Sequence, residues 1–398
     1  VSKIKVALLH CDCYEVDTLH RTLLRGFDLL GGLSRFVTKG QRVLLKPNIL
    51  AGCPADQAVT THPAVMEAVI QILREAAAQV SYGDSSGITR SLPAARDSGL
   101  AAVAERYGVE IGDFEHGRQV VLKGGPQNGA ALPRVARMSR VTRVPLAQAV
   151  LEADAIFNLP KMKTHQLTRI TGAVKNLFGC IPGLGKPALH VSHPEALDFS
   201  RLLAQMHLQI RPRIHILDAI LAMEGNGPRN GEPRWVNGII MSEDPVAADA
   251  VFARLIDLDP RFVPTCLAGH EAGIGTYLPE EIEIAGDAPG DMLQREFKVI
   301  RTGVGENALL KYYPTIRNLV LPRPVIDEER CKRCGICIQA CPLPEKALSF
   351  NGGGADALPV YDYERCIRCY CCQEMCPHRA IERKIPFLGK VLLRRVGG

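Results

Sequence analysis

Two cysteine runs constrain this chain more than any other feature. The first is Cys331-x2-Cys334-x2-Cys337-x3-Cys341-Pro342, and the second is Cys366-x2-Cys369-x2-Cys372-x3-Cys376-Pro377. Nine of the fourteen cysteines lie between Cys331 and Cys376. Clustering of that kind signals metal ligation rather than disulfides. Three thiolates in a tight loop reach three irons of one cubane, and the fourth ligand comes from the other run. Cys331, Cys334, Cys337 and Cys376 are thereby assigned to one [4Fe-4S] cluster. Cys366, Cys369, Cys372 and Cys341 are assigned to a second. Zinc also takes paired cysteines, but a four-cysteine run ending in Cys-Pro, present twice, is poor zinc spacing. Cys371 is an extra cysteine beside a ligand.

The flanks repeat as well, as VIDEERC before the first run and VYDYERC before the second, with a Gly-rich insert from Asn351 to Gly354 between them. This is an internal duplication. Residues 325–385 resemble the bacterial two-cluster ferredoxins, which implies electron transfer and a redox partner protein. The module is expected to occupy residues 323–398, including the basic, partly apolar tail KIPFLGKVLLRRVGG. That tail suits either a membrane or the domain's own surface, and the latter is expected.

The chain has 398 residues, 46% of them apolar and 23% charged, which suits a soluble protein of more than one domain. Its formal net charge is +6. Each ligated cluster adds about −2, so two would leave roughly +2. The basicity therefore argues little for nucleic acid, and no zinc-finger or RNA-binding signature accompanies it. No apolar run approaches the roughly 18–20 residues that span a bilayer. The first residues, VSKIKVALLHCDCYEVD, lack the h-region of a signal peptide. A cytoplasmic protein with no membrane span is expected.

Residues 1–322 read as an α/β body. Lys5 to Leu9, Arg42 to Lys46, Gln79 to Tyr82, Ala155 to Leu159, Ile214 to Leu217 and Gly238 to Met241 look like buried strands. Val16 to Leu33 and a segment starting at His62-Pro63 have helical spacing. Strands alternating with helices imply a mostly parallel sheet with helices on both faces. Ligands of such sheets sit beyond the carboxyl ends of the strands. Lys46-Pro47-Asn48, Gly83 to Gly87 with Asp84 and Ser85, Pro160 to His165, and Asp218 with Glu224 to Gly227 are all expected there.

The densest stretch is PKMKTHQLTRITGAVKNLFGCIPGLGKPALH, Pro160 to His190. It packs Lys161, Lys163, His165, Arg169, Lys175, Lys186 and His190 among glycines and prolines, with Asn176 as a further candidate for substrate binding. Lysines supply charge and exposed backbone N–H groups supply donors, so an anion site is expected. A solvated basic loop is the plainer reading. No Walker loop and no Gly-x-Gly-x-x-Gly follows a strand, so neither ATP nor NAD is indicated.

KPN at Lys46, TTHP at Thr60, GDSSG at Gly83, PKMKTH at Pro160, TGAVKNLFGCIPG at Thr171, MEGNGP at Met223 and SEDPVAADA at Ser242 together resemble the family called domain of unknown function 362, in its form with a C-terminal ferredoxin. That family implies no established activity. His165-x9-Lys175, Pro182-Gly183 and His190 are also similar to a segment of the lactate racemase family. This second resemblance implies His165 as a base, Lys175 as the attachment point of a nickel-pincer nucleotide and His190 as a nickel ligand. It departs at Gly172-Ala173-Val174, where that family has a double glycine.

Three functions are consistent with these residues. One is an iron–sulfur oxidoreductase whose body binds a small anionic substrate. Another is an electron donor or activation partner that docks a second enzyme. The third is a lactate-racemase-like isomerase with structural or sensory clusters.

Overall fold

A computed structural model describes residues 3–87, 90–122, 142–183, 185–302, 314–350 and 357–396. The Gly-rich insert at 351–354 lies outside the described residues.

Side chains of a strand alternate between the faces of a sheet, so a strand buried on both faces shows an unbroken apolar run. In Ile4–His10, Val6 and Leu8 join one buried cluster while Ala7 and Leu9 join another. Leu44 is separated in the same way from Val43 and Leu45, and Ile240 from Ile239 and Met241. Helices cover both faces of one ten-stranded sheet. Its order is Ile282–Gly286, Ile4–His10, Glu232–Ser242, Ile214–Glu224, Ala155–Leu159, Arg42–Pro47, Gln79–Tyr82 and Glu110–Ile111. The pairings are parallel except those of Glu232–Ser242, which is antiparallel to both neighbours, and of Arg169–Thr171. The body is thus the mostly parallel α/β sheet expected.

Three expectations are corrected. Ile214–Glu224 and Glu232–Ser242 are strands of 11 residues each, so Asp218 and Glu224 lie within a strand and not beyond one. Every residue of Ile214–Glu224 is buried, and a polar group is tolerated there only with partners. Asp218 has three, as described below. The PKMKTH motif is also not a loop. Lys161–His165 is a strand that pairs parallel with Ile214–Glu224 and antiparallel with Arg169–Thr171. Ile214–Glu224 stays alongside across Pro160, while the neighbour on the other side changes from Arg42–Pro47 to Arg169–Thr171; Pro160 has no N–H to continue the earlier ladder. The first helix, Val16–Leu29, stops short of Leu33, because Gly31 and Gly32 take φ of 98° and 96°.

The C-terminal module is a small α+β unit. Arg323–Ile326 pairs antiparallel with Ile381–Lys384, and Leu348–Phe350 with Pro359–Tyr361. The tail forms the helix Phe387–Val396, packed on helix Pro314–Val320. Among the described residues no helix is long and apolar enough to cross a membrane.

The module is seated on the body through its helix Cys371–Met375. Asn230 Nδ2 donates to the Gln373 carbonyl at 2.7 Å, and Gln373 Nε2 donates to the Asn226 carbonyl at 2.7 Å. Arg229 Nη1 donates to the Met375 carbonyl at 3.1 Å. At Gly87 a Cβ would lie 2.7 Å from Met375 Sδ. With no side chain at residue 87, the loop after Gln79–Tyr82 lies against the end of the Met375 side chain.

Candidate functional site

The eight cysteines surround two separate spaces. Cys331, Cys334, Cys337 and Cys376 line one small cavity, walled also by Ile326 and Ile381. Cys341, Cys366, Cys369 and Cys372 line the other, walled also by Leu348, Tyr361 and Tyr370. Each cavity draws three cysteines from one run and one from the other. Zinc would gather four sulfurs to about 2.3 Å from a single ion. Among the described residues no three His, Cys, Asp or Glu side chains converge in that manner. Four thiolates spread around an apolar space suit a cubane instead, so the donor sets fit [4Fe-4S] better than zinc. Cys334 is exposed, whereas Cys341 is buried at the inner side of the module.

That inner side borders a cleft of about 450 Å³ between module and body. The body contributes Asn48, Asp84, Ser85, Lys175, Asn176, Lys186 and His190 to its lining. The module contributes Gln339, Cys341, Lys346, Cys371 and Glu374. Lys46, Lys161, Lys163 and His165 do not line it.

The crowded cations are mostly tied off within the fold, which corrects the picture of a set of free charges. Lys46 Nζ lies 2.7 Å from Asp84 Oδ1, and Asp84 Oδ2 accepts from the Ile49 N–H at 2.7 Å. Lys163 Nζ donates to Asn48 Oδ1 at 2.8 Å and to the Val59 carbonyl at 2.5 Å. Burial, with Lys175 nearby, pushes the Lys163 ammonium down to about 7. Asn48 Nδ2 donates to Asn176 Oδ1, and Asn176 Nδ2 to Asn158 Oδ1, both at 2.8 Å. This buried amide chain stiffens the wall of the cleft. Lys186 Nζ donates to the carbonyls of Ser85 and Ser86, and burial pushes its ammonium down to about 8. Lys161 belongs to a different cluster: its Nζ lies 2.7 Å from Asp218 Oδ2 and 3.0 Å from the Tyr14 hydroxyl. Tyr14 donates to Asp218 Oδ1 at 2.8 Å, and the His62 N–H donates to Asp218 Oδ2 at 2.9 Å.

Lys175 differs from the others. It is 91% buried and lines the cleft, and its Nζ makes no hydrogen bond or ion pair among the described residues. The nearest aromatic ring is Phe178, 5.8 Å from Nζ to centroid. Burial lowers the Lys175 ammonium from its ordinary value, against the pull of Glu374. Lys175 rides on the short helix Ala173–Asn176. The buried Asp249 carboxylate holds that helix by accepting from the Ala173 and Val174 N–H groups at 2.6 and 3.1 Å.

His165 and His190 take unequal positions. His165 Nδ1 accepts from the N–H groups of Leu167 and Thr168 at 3.0 and 3.3 Å. Its proton is therefore assigned to Nε2, which lies 2.8 Å from Glu374 Oε1, off the ideal hydrogen-bond line. Burial and then Lys175 push the imidazole down to about 4. With Nδ1 facing two donors and Nε2 facing Glu374, His165 has no lone pair turned to the cleft. His190 stacks on Phe199 at 4.6 Å and meets Phe178 edge-on at 5.2 Å. Its Nδ1 is buried without a partner, and burial pushes the ring down to about 3.

Glu374 was not anticipated. Burial would raise its pKa, but His165, Lys175 and His190 outweigh that and hold it down at about 2. It sits in the second cysteine run, as Cys372-Gln373-Glu374-Met375-Cys376. The run's two polar residues were the available signal: Cys372 turns to the second cysteine cavity, while Glu374 lines the cleft with Cys371.

A family model described as domain of unknown function (DUF362) matches residues 43–254, and one described as a 4Fe-4S dicluster domain matches residues 323–377. A thylakoid-associated protein of Synechocystis sp. is 34% identical over 276 residues, which are 69% of this chain and 81% of that protein. Two solved structures show a distant likeness. The lactate racemase apoprotein from Thermoanaerobacterium thermosaccharolyticum has a TM-score of 0.37 at 12% identity, over 61% of this chain and 54% of that one. A Thermotoga maritima protein has a TM-score of 0.37 at 13% identity, over 66% of this chain and 60% of that one. Neither is near enough to transfer a residue's role.

Proposed function

The chain belongs to the DUF362 family and ends in a 4Fe-4S dicluster domain, and from that premise we propose an iron–sulfur oxidoreductase acting on a small anionic substrate. Two [4Fe-4S] clusters are held by the crossed cysteine sets, and the substrate occupies the cleft between module and body. One observation carries the reading: Cys341, from the second cysteine set, lines the same cleft as the unpartnered Lys175. Bound clusters supply one-electron transfer. The chain's own residues do the rest. Lys175 binds the anionic group, because an unpaired buried ammonium is stabilised by a counter-charge. The ionised Glu374 accepts a hydrogen bond from a hydroxyl or amine of the same substrate. His190, neutral near pH 7, offers an imidazole nitrogen for proton exchange.

The exposed side of the module, at Cys334, is where a redox partner protein reaches it. The free thiols suit a reducing cytoplasm. The Synechocystis relative is called thylakoid-associated, which supports contact of this chain with a membrane surface. The isomerase reading loses support. His165, which that reading needs as a base, turns Nδ1 to two N–H donors and Nε2 toward Glu374, although Lys175 and His190 line one cleft as it requires.

Anaerobically isolated protein should contain about eight irons and eight sulfides. Reduced protein should lose its reduced-cluster electron paramagnetic resonance signal on addition of the right small carboxylate or phosphate ester. Lys175→Met should block that loss while keeping the clusters. A variant that reoxidises as fast as the parent would refute the cleft as the site.

A further inference from the structure

The helices Pro314–Val320 and Phe387–Val396 carry a face that the other described residues leave bare. Helix Pro314–Val320 leads into strand Arg323–Ile326, and the paired strand Ile381–Lys384 leads into helix Phe387–Val396. Both helices therefore leave one end of the same two-stranded ribbon. They pack at Gly389, where a Cβ would lie 1.9 Å from the Val320 carbonyl oxygen. With that face spent on packing, Phe387 is 78% exposed, and Leu388, Val391, Ile316 and Leu319 are also exposed. Single exposed apolar residues need no explanation, but five on two adjoining short helices form a patch.

Charge selects what covers it. Residues 314–324 and 383–398 contain no Asp or Glu and seven Lys or Arg. Lys384 and Lys390 are exposed and make no ion pair among the described residues. A second copy of the chain would bring like charges together across a two-fold contact. An anionic lipid surface complements both features, since apolar side chains enter the headgroup boundary while Lys and Arg meet phosphates. We propose that this helix pair docks the protein on the surface of a bilayer containing anionic lipid. The proposal deepens the reading that the chain meets a membrane surface, and it adds the segment and the lipid class.

The test is co-sedimentation of the full, cluster-loaded chain with phosphatidylcholine vesicles, with and without phosphatidylglycerol. Binding should require phosphatidylglycerol and fall as salt rises, because exposed charges are screened. The double variant Phe387→Glu, Leu388→Glu should bind about tenfold less, with its cluster absorbance unchanged. The pair Lys384→Glu, Lys390→Glu alters exposed residues only, so it keeps the fold; it should bind less and lose the salt dependence. Vesicle binding that survives both double variants would overturn the helix pair and leave the membrane reading standing. No binding to either vesicle type would overturn both. A dimer that the Phe387 variant converts to monomer, without vesicle binding, would assign the face to self-association and overturn the proposal.

Discussion

Lys161 and Lys175 come from one basic stretch, and both are buried, yet they do different things. Lys161 sits between Asp218 and Tyr14, so its charge is matched inside the protein. Lys175 has no such partner and faces the cleft beside Cys341 and Glu374. A buried charge is costly unless paired, so one lysine is completed by the fold, and the other is the one that the proposed function assigns to a ligand. Local density of positive charge therefore does not define the site. Accounting for each cation's partner does.

The contrast can be broken first at Asp218. Asp218→Ala strands the Lys161 ammonium in a fully buried place and should cost about 3–5 kcal/mol in anaerobic urea unfolding. A loss below about 1 kcal/mol would mean that Lys161 is not held as described. Acid comes next, because both regions hold neutral imidazoles: His62 at about 4 stacked on Tyr14, and His165 at about 4 and His190 at about 3 at the cleft. In each the folded value lies below the ordinary 6.5, so the unfolded chain takes the proton first as pH falls. The stability from keeping them neutral is complete above pH 6.5 and is lost on the way down to about 4. For buried His165 alone this approaches about 3 kcal/mol. A melting temperature that stays level between pH 6.5 and 4.5, with clusters intact, would contradict it.

Ligand binding should separate the two lysines directly. Phosphate or a small carboxylate at a hundredfold excess over its Kd should stabilise the body by about 2.7 kcal/mol. That gain should vanish in Lys175→Met and persist in the exposed variant Lys39→Ala. The smallest effect expected is on the unliganded protein, where Lys175→Met should change stability by less than about 1 kcal/mol. A loss as large as that of Asp218→Ala would erase the distinction between the two sites.

Much of the fold was legible for a local reason. Runs such as Lys5 to Leu9 and Arg42 to Lys46 are apolar on both faces, and only a strand covered on both sides needs that. The strands around Asp218 and Lys161 were misread because polar residues inside a buried strand imitate a loop. What makes them tolerable is a set of partners from Tyr14 and His62, far away in sequence. Glu374 was overlooked for the same reason, since its meaning depends on His165, Lys175 and His190 across a domain boundary.

The sequence by itself marked the two four-cysteine runs, because the spacing within each is a local property of a short loop, and the fold gathers them around two cavities, three cysteines from one run and one from the other. It also determined the mostly parallel body, because face-by-face burial is written in residue period. Only the tertiary structure decided which buried charges are spent and which remain. An ion-pair partner is defined by distance in space, and segments remote along the chain supply it: Asp218 for Lys161 and Asp84 for Lys46, whereas Lys175 feels the charge of Glu374 but makes no ion pair among the described residues.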